Sequence, residues 1–297
     1  MPAPVLGFVG FGEAGSRIAS GLPEAGAGEL YAYDIAADSG VAGERIRQRA
    51  ADSGVVLVRS NAELAANCSI VFSLVTAKSA LEAARQNLPH LGAQHLYLDC
   101  NSVSPATKRE IANVIQSGAA RFVEVAIMAP VPKQAGHRVP MLINGDAAAG
   151  LSELLAPLGF QLEVMAAPFG AAAAVKMCRS IVVKGLEALL TECVLGASRF
   201  GAEDRVFASL AKSFPGIEWK ALADYMVNRL TVHGERRARE MEEVAETLRS
   251  VGVDPIMSEA TARRQDWSAS LGLASRFGPE GPRTYQEVLE VLESLQA

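Results

Sequence analysis

The chain has 297 residues, 49% of them hydrophobic and 21% charged, with a formal net charge of -5. Such a length exceeds what one core usually serves, so two domains are expected, and the acidic balance leaves no footprint for a nucleic-acid partner. No apolar run reaches bilayer length and residues 1 to 20 lack a signal-peptide pattern, so a cytoplasmic protein without membrane contact is expected. The four cysteines, Cys68, Cys100, Cys178 and Cys193, show no CxxC spacing and sit in apolar segments, as buried free thiols do; no metal site is expected.

Val5-Leu6-Gly7-Phe8-Val9 is an apolar run of strand length that stops at Gly10, and Ile18 and Leu22 then mark one face of a helix. In the intervening turn Gly10 permits the bend, Gly12 admits a pyrophosphate to the backbone, and Gly15 lets the helix pack close to the strand. Phosphates would rest on N–H groups at the positive end of that helix, with Phe11, Glu13 and Ala14 completing the loop. A second apolar run, Leu30 to Tyr33, ends in Asp34, about twenty residues past the glycines. A carboxylate there accepts both ribose hydroxyls of NAD and repels a 2′-phosphate, so NAD is the expected cofactor, with NADP as the alternative; glycines that merely serve a tight turn and an Asp34 that merely ends a strand are the plainer account.

Strand-like and helix-like patterns continue to alternate. A helix is expected over Gly43 to Ser53, a short strand over Val55 to Val58, and a helix over Ala62 to Ala66 capped by Ser60 or Asn61. Ser69 to Thr76 is almost continuously apolar, as a parallel strand buried on both faces should be. Its end, Val75 and Thr76, should approach the cofactor, because ligands lie beyond the carboxyl ends of strands in a doubly wound sheet. Ser79 to Asn87 reads as a helix and Leu96 to Leu98 as the next strand, from whose end Asp99-Cys100-Asn101-Ser102 emerges. Asn101 and Ser102 offer short donors and acceptors to a substrate and to a nicotinamide amide; a simple N-cap before the helix from Pro105 to about Ser117 is the alternative. Arg121 to Ala126 and Pro140 to Ile143 read as strands joined by the Pro-rich loop Ala129 to Arg138, followed by a helix over Ala147 to Leu158 and a strand over Gln161 to Met165.

Around Ala166 to Gly170 the pattern changes. From Ala171 the sequence is helical in period, beginning with a segment that could run unbroken to Arg199. Pro215-Gly216 and Asp254-Pro255 mark helix boundaries, Gly278 to Pro282 a loop, and Thr284 to Leu295 a terminal amphipathic helix. The expected architecture is α/β: an N-terminal Rossmann-type doubly wound sheet over residues 1–166, then an all-helical domain over 167–297.

The glycine fingerprint, Asp99-Cys100-Asn101-Ser102-Val103-Ser104-Pro105, and Gly170 followed six residues later by Lys176 resemble the β-hydroxyacid dehydrogenase superfamily, which includes 3-hydroxyisobutyrate and 6-phosphogluconate dehydrogenases. In that family the tetrad usually reads Asp-Cys-Ser-Thr, the lysine is the catalytic acid/base on the interdomain helix, and an Asn often follows it by four positions. Here Ser180 stands at the Asn position, and Arg239-Glu240-Met241 where a Lys-Asp-Leu would fall. Ala129-Pro130-Val131 and His233-Gly234 with Arg236-Arg237 match a subgroup whose C-terminal domain has no assigned function. The resemblance implies an intimate homodimer built by the helical domain, a role that the apolar faces around Leu186 to Leu195 suit; burial in the core is their alternative.

Hydride transfer from a secondary alcohol needs a base to take the hydroxyl proton, and the reverse reaction an acid to return it. Lys176 is the candidate, because desolvation in a cleft lowers a lysine pKa toward neutrality; a snorkelling helix lysine is the alternative. Ser180 and Lys184 follow at four-residue spacing on roughly the same helix face, Ser180 as a substrate contact and Lys184 as the partner of an acid such as Glu187 or as a solvated charge. His233, Arg236, Arg237 and Arg239 form a basic cluster for an anionic substrate group, with Arg239 favoured; interspersed acids make a salt-bridged, solvated face an equal account. Many family members hold a carboxylate on a Ser-Gly-Gly run where this chain has Pro130 and Pro132, which lack donors. Lys133, His137 or Arg138 could substitute, or be surface residues. The expected activity is NAD-linked oxidation of a hydroxy acid or related alcohol, a small-molecule substrate. Imine reduction and a nucleotide-binding module without turnover are the alternatives.

Overall fold

The computed structural model describes residues 4–278 and 280–295. It divides into two compact units, the boundary falling between Lys176 and Met177. In the first unit β1 (Leu6–Val9), α1 (Glu13–Ser20), β2 (Leu30–Tyr33), α2 (Gly40–Ser53), β3 (Val55–Leu57), α3 (Asn61–Asn67), β4 (Ile70–Ser73), α4 (Ala80–Asn87), β5 (Leu96–Asp99), α5 (Pro105–Gln116) and β6 (Arg121–Ile127) alternate strictly. They are followed by β7 (Met141–Asn144), α6 (Ala148–Leu155) and β8 (Leu162–Met165).

These strands form one eight-stranded sheet in the order β3-β2-β1-β4-β5-β6-β7-β8. The first six are parallel, and the switch point lies between β1 and β4, where chain direction around the sheet reverses. β7 runs antiparallel to β6. The Pro-rich connection between them carries no crossover helix, so the chain returns beside the strand it left. Phe8, Phe72 and Phe160 stack on one face of the sheet, with centroid separations of 5.4 and 5.8 Å. That face is covered by Ile18 and Leu22, Ile46, and Leu151 and Leu155; Leu64, Ala84 and Ile111 cover the other. Helices on both faces make the sheet doubly wound.

Ser60 caps α3, its Oγ accepting the Glu63 N–H at 3.1 Å, while the Glu63 carboxylate accepts the Arg59 N–H at 2.8 Å. α2 starts at Gly40, three residues before the expected position. The expected helix over Ala147 to Leu158 divides into α6 and a terminal 3-10 turn over Ala156–Leu158, where Pro157 removes a helical donor.

α7 (Ala171–Ser198) contains the division between the units. The second unit continues with α8 (Glu203–Ser213), α9 (Trp219–Ser250), α10 (Ile256–Ser270) and α11 (Tyr285–Ser294), and after Met165 no strand occurs among the described residues. Its core gathers Val194, Phe207, Val227, Leu273, Tyr285 and Val288. α9 and α10 come close at Gly234, where a Cβ would stand 2.6 Å from the Gln265 carbonyl. Of the loop expected at Gly278 to Pro282, Pro279 lies outside the described residues, as do residues 1–3 and 296–297 of the two expected domains. No helix among the described residues is long and apolar enough to cross a membrane.

Candidate functional site

The glycines of the first turn differ in what surrounds them. Gly10 has φ +82° and a Cβ there would lie 2.7 Å from the Leu74 carbonyl, so both conformation and space require glycine. A Cβ on Gly15 would stand 3.0 Å from the Gly10 carbonyl, which is how α1 packs close to β1. Around Gly12, the N-cap of α1, nothing lies within 4 Å: the backbone faces open space at the positive end of the helix. The exposed Glu13 in that first turn is paired with Arg17, which keeps its negative charge partnered beside the anion-accepting turn.

Asp34 accepts the Phe11 N–H at 2.7 Å through Oδ2 and the Ala36 N–H at 2.9 Å through Oδ1. An ionised carboxylate has about four acceptor sites, so two remain for hydroxyl donors. A cavity of about 660 Å³ lies at the carboxyl ends of β1, β2 and β4, lined by Gly10, Gly12, Asp34, Ile35, Val75 and Thr76 among others. A dinucleotide-sized cradle, an open helix N-terminus and a carboxylate at the end of β2 fit an adenine dinucleotide. Ile35, 77% exposed on the cavity wall, offers an apolar face that the sequence reading did not single out; an apolar residue directly after the strand-ending acid was the available signal.

The expected substrate contacts in the tetrad separate. Ser102 is exposed. Asn101 is buried: its Oδ1 accepts the Val75 N–H at 2.7 Å, and its Nδ2 donates to Ser73 Oγ at 3.0 Å and to Asp99 Oδ1. The amide is thus committed to joining the ends of β4 and β5. Below it, Lys108 of α5 is buried and donates to Asp99 Oδ2 at 2.7 Å, to Asp99 O at 2.6 Å and to Val125 O at 3.1 Å. Burial pushes the Cys100 thiol up to about 12, while the charges of Lys108 and Lys176 act to lower it. Lys176, half-buried in the second turn of α7, therefore stands within electrostatic reach of the tetrad.

Strand register extends this polar layer. Ser73, Asp99, Glu124 and Asn144 are cross-strand neighbours on β4, β5, β6 and β7, and all four are buried. Glu124 accepts the N–H groups of Gly170 at 2.8 Å and Ala173 at 2.9 Å, joining the sheet to the start of α7. Neither Lys108 nor Glu124 was legible as a site residue. Each looks like an ordinary surface charge in sequence, and the signal, a lone charge inside an otherwise apolar strand, existed only for Glu124.

In the Pro-rich loop Arg17 donates to the Val131 carbonyl at 2.9 Å. Lys133 and Arg138 are exposed, whereas His137 is buried against Gly21 and the Phe160 ring, with neither ring nitrogen hydrogen-bonded. Desolvation, then the Arg138 charge, lowers its pKa. The expectation of four buried thiols needs correction: Cys68 and Cys100 are buried and Cys193 half-buried, but Cys178 is exposed. Its neighbours at helical spacing, Val175 and Val182, are exposed too, so this is the outward face of α7.

Within the second unit the basic cluster is laced with acids. Arg237 and Glu187, both buried, pair at 2.8 Å, and Gln265 donates to the same carboxylate at 2.9 Å. Burial pushes the Glu187 carboxyl up, with Arg237 and Gln265 pulling it back. Lys184 pairs at 2.9 Å with Glu240 of α9 rather than with Glu187, which α9 and α10 have already engaged. Arg236 meets Glu240, and the exposed Arg239 meets Glu242 at 2.5 Å and Asp266 at 2.9 Å. His233 is half-buried and its pKa is pushed down to about 4 by desolvation and by Arg229, Arg236 and Arg237, so it is neutral at pH 7. A neutral imidazole cannot anchor an anion as a cation would. Ser180, at i+4 from Lys176, is half-buried.

Comparison with known proteins agrees with this geometry. Residues 5–149 match the NAD binding domain of 6-phosphogluconate dehydrogenase, and residues 197–268 match a domain of unknown function, DUF1932. A conserved hypothetical protein from Sinorhizobium meliloti is 39% identical, superimposes with a TM-score of 0.76, and shares 89% of this chain and 87% of its own. A conserved protein of unknown function, described as structurally similar to 3-hydroxyacid dehydrogenases, is 30% identical with a TM-score of 0.74, over 91% of this chain and 98% of its own. Mitochondrial 3-hydroxyisobutyrate dehydrogenase of Drosophila melanogaster is 24% identical over 72% of this chain and 64% of that longer protein. The chain belongs to the family that joins a 6-phosphogluconate-dehydrogenase-type NAD-binding domain to a DUF1932 domain, and it is an NAD(P)-binding protein of hydroxyacid dehydrogenase-like fold.

Proposed function

We propose that this member of the family is an NAD-dependent dehydrogenase that oxidises a hydroxy acid or related secondary alcohol, with Lys176 as the general acid/base. The observation that carries this reading is the electrostatic reach of Lys176 to the tetrad loop, whose Asn101 also holds the backbone of Val75 at the wall of the dinucleotide cavity. Gly10 to Gly15 would hold the pyrophosphate, Asp34 the adenine ribose, Ile35 the adenine face, and Val75 and Thr76 the nicotinamide side. When bound, the nicotinamide supplies the hydride acceptor. Lys176 takes the proton from the substrate hydroxyl and returns it to the carbonyl oxygen in reverse. Ser102 contacts the substrate, and Ser180, one turn after Lys176, is a second contact. Asn101 acts by shaping the strand ends. Arg239 is proposed as an anion contact only through exchange of its exposed acid partners, and His233 as a neutral hydrogen-bonding group.

We also propose a homodimer. Val175, Val182 and Leu189 recur every seven residues on α7 and are all exposed, with Cys178 between them, which is the repeat of a helix seam suited to a second copy of the same helix.

Oxidation of a panel of hydroxy acids with NAD, followed by absorbance of the reduced cofactor, tests the reaction. Lys176→Ala should lower kcat by about 10²- to 10⁴-fold with NAD affinity within about twofold. Full turnover in that variant would remove Lys176 from the chemistry.

A further inference from the structure

Glu124 sits inside β6 with its side chain wholly buried. A buried carboxylate is costly unless hydrogen bonds replace its water. Here three do: Gly170 N–H at 2.8 Å and Asn144 Nδ2 at 3.3 Å on Oε2, and Ala173 N–H at 2.9 Å on Oε1. The first turn of a helix is where N–H groups lack partners and where negative charge is favoured. Asn144, the register partner of Glu124, ties down the preceding segment: it donates to the Pro168 carbonyl at 3.1 Å and accepts the Ala167 N–H at 3.4 Å. Between them Gly170 has φ +97°, and a Cβ there would lie 2.7 Å from the Pro105 carbonyl, so the start of α7 abuts α5 with no room for a side chain.

A surface serine or aspartate caps most helices without burying charge. A fully buried strand carboxylate instead fixes the rotation and rise of the first turn of α7 relative to the strand ends that carry Asp99 and Asn101. Lys176 follows Ala173 by three residues, on the adjoining turn of the same helix side. We propose that Glu124 is a positioning residue: by holding Gly170 and Ala173 it sets where the Lys176 ammonium stands relative to the tetrad. The role assigned to Lys176 under the proposed function is its premise, and the experiment separates the two.

The test is a double-mutant cycle of Glu124→Gln with Lys176→Ala, read as steady-state kinetics on the hydroxy acid found active. Gln keeps one acceptor and presents a donor to an N–H group. Misplacement of a reacting group by about 1 Å costs up to about 10²-fold, so kcat in Glu124→Gln should fall about 10- to 100-fold while KM and the NAD dissociation constant stay within about twofold. In the Lys176→Ala background the same substitution should cost nothing further. An equal loss in both backgrounds would make Glu124 merely structural and overturn the proposal.

A second readout needs no turnover. Amide exchange at Gly170 and Ala173 should accelerate in Glu124→Gln, and acetylation of Lys176, measured by peptide mass against Lys133, should change at least about threefold. Unchanged acetylation overturns the proposal even if the kinetics move. Changed acetylation, with Lys176→Ala fully active, would sustain the positioning of Lys176 while removing its catalytic role. Should Glu124→Gln fail to fold, Asn144→Ala releases Pro168 and Ala167 and removes one of the three donors to Glu124, while the Gly170 and Ala173 N–H groups still hold the carboxylate; it should give the same non-additive pattern at smaller amplitude, and additivity there counts against the proposal equally.

Discussion

Replacing Lys108 by Met removes the charge beneath the tetrad while preserving most of the side-chain volume. Three hydrogen bonds are lost, to Asp99 Oδ2, Asp99 O and Val125 O, and the wholly buried Asp99 carboxylate is left with the Asn101 amide as its side-chain donor among the described residues. Breaking one side of a buried ion pair costs about 3–5 kcal/mol, mostly through the uncompensated charge left behind. For a unit of this size each kcal/mol moves the unfolding midpoint by about 2–4 °C, so a fall of about 6–20 °C is expected. Differential scanning calorimetry at pH 7 should locate it in one transition, since the pair lies wholly within the first unit. Adding Asp99→Asn removes the stranded charge and should restore more than half of the loss. A loss below about 1 kcal/mol in the single variant, or no recovery in the double, would refute the reasoning that a dry ion pair supports the tetrad.

Other outcomes follow from named contacts. Asp34→Asn keeps one acceptor for the loop N–H groups but loses the charge that repels a 2′-phosphate; titration calorimetry should show NAD weakened about tenfold and NADP changed far less. Equal losses would confine Asp34 to holding the loop. Gly10→Ala must adopt φ +82° and collide with the Leu74 carbonyl, so both thermal stability and NAD binding should drop; unchanged NAD affinity would contradict the cradle. His233 has its folded pKa near 4 against an ordinary value of 6.5, so the unfolded chain binds its proton first and stability is lost as pH falls from about 6.5 to about 4. His233→Gln should flatten the fall of the urea midpoint across that window, and an unaltered slope would mean that the imidazole is not desolvated as the structure has it.

The amino-acid sequence by itself carried the architecture, because local rules act there. Apolar runs of strand length, the glycines at 10, 12 and 15, Ser60 ahead of Glu63 and the switch to helical period after Gly170 each report on neighbours a few residues away. Asp34 was legible for the same reason: its distance from the glycines is set by one βαβ unit. What only the tertiary structure decided are relations across strands and between helices. Ser73, Asp99, Glu124 and Asn144 are scattered over 72 positions, and only sheet register makes them one buried row. Lys184 chose Glu240 over Glu187 because helix packing, not spacing along α7, determines which carboxylate comes within reach. A lysine reads the same in sequence whether it is solvated, like Lys133, or sealed against a carboxylate, like Lys108. Burial is a property of the whole chain folded around a residue, and it alone determines whether that charge is an ornament of the surface or a support of the site.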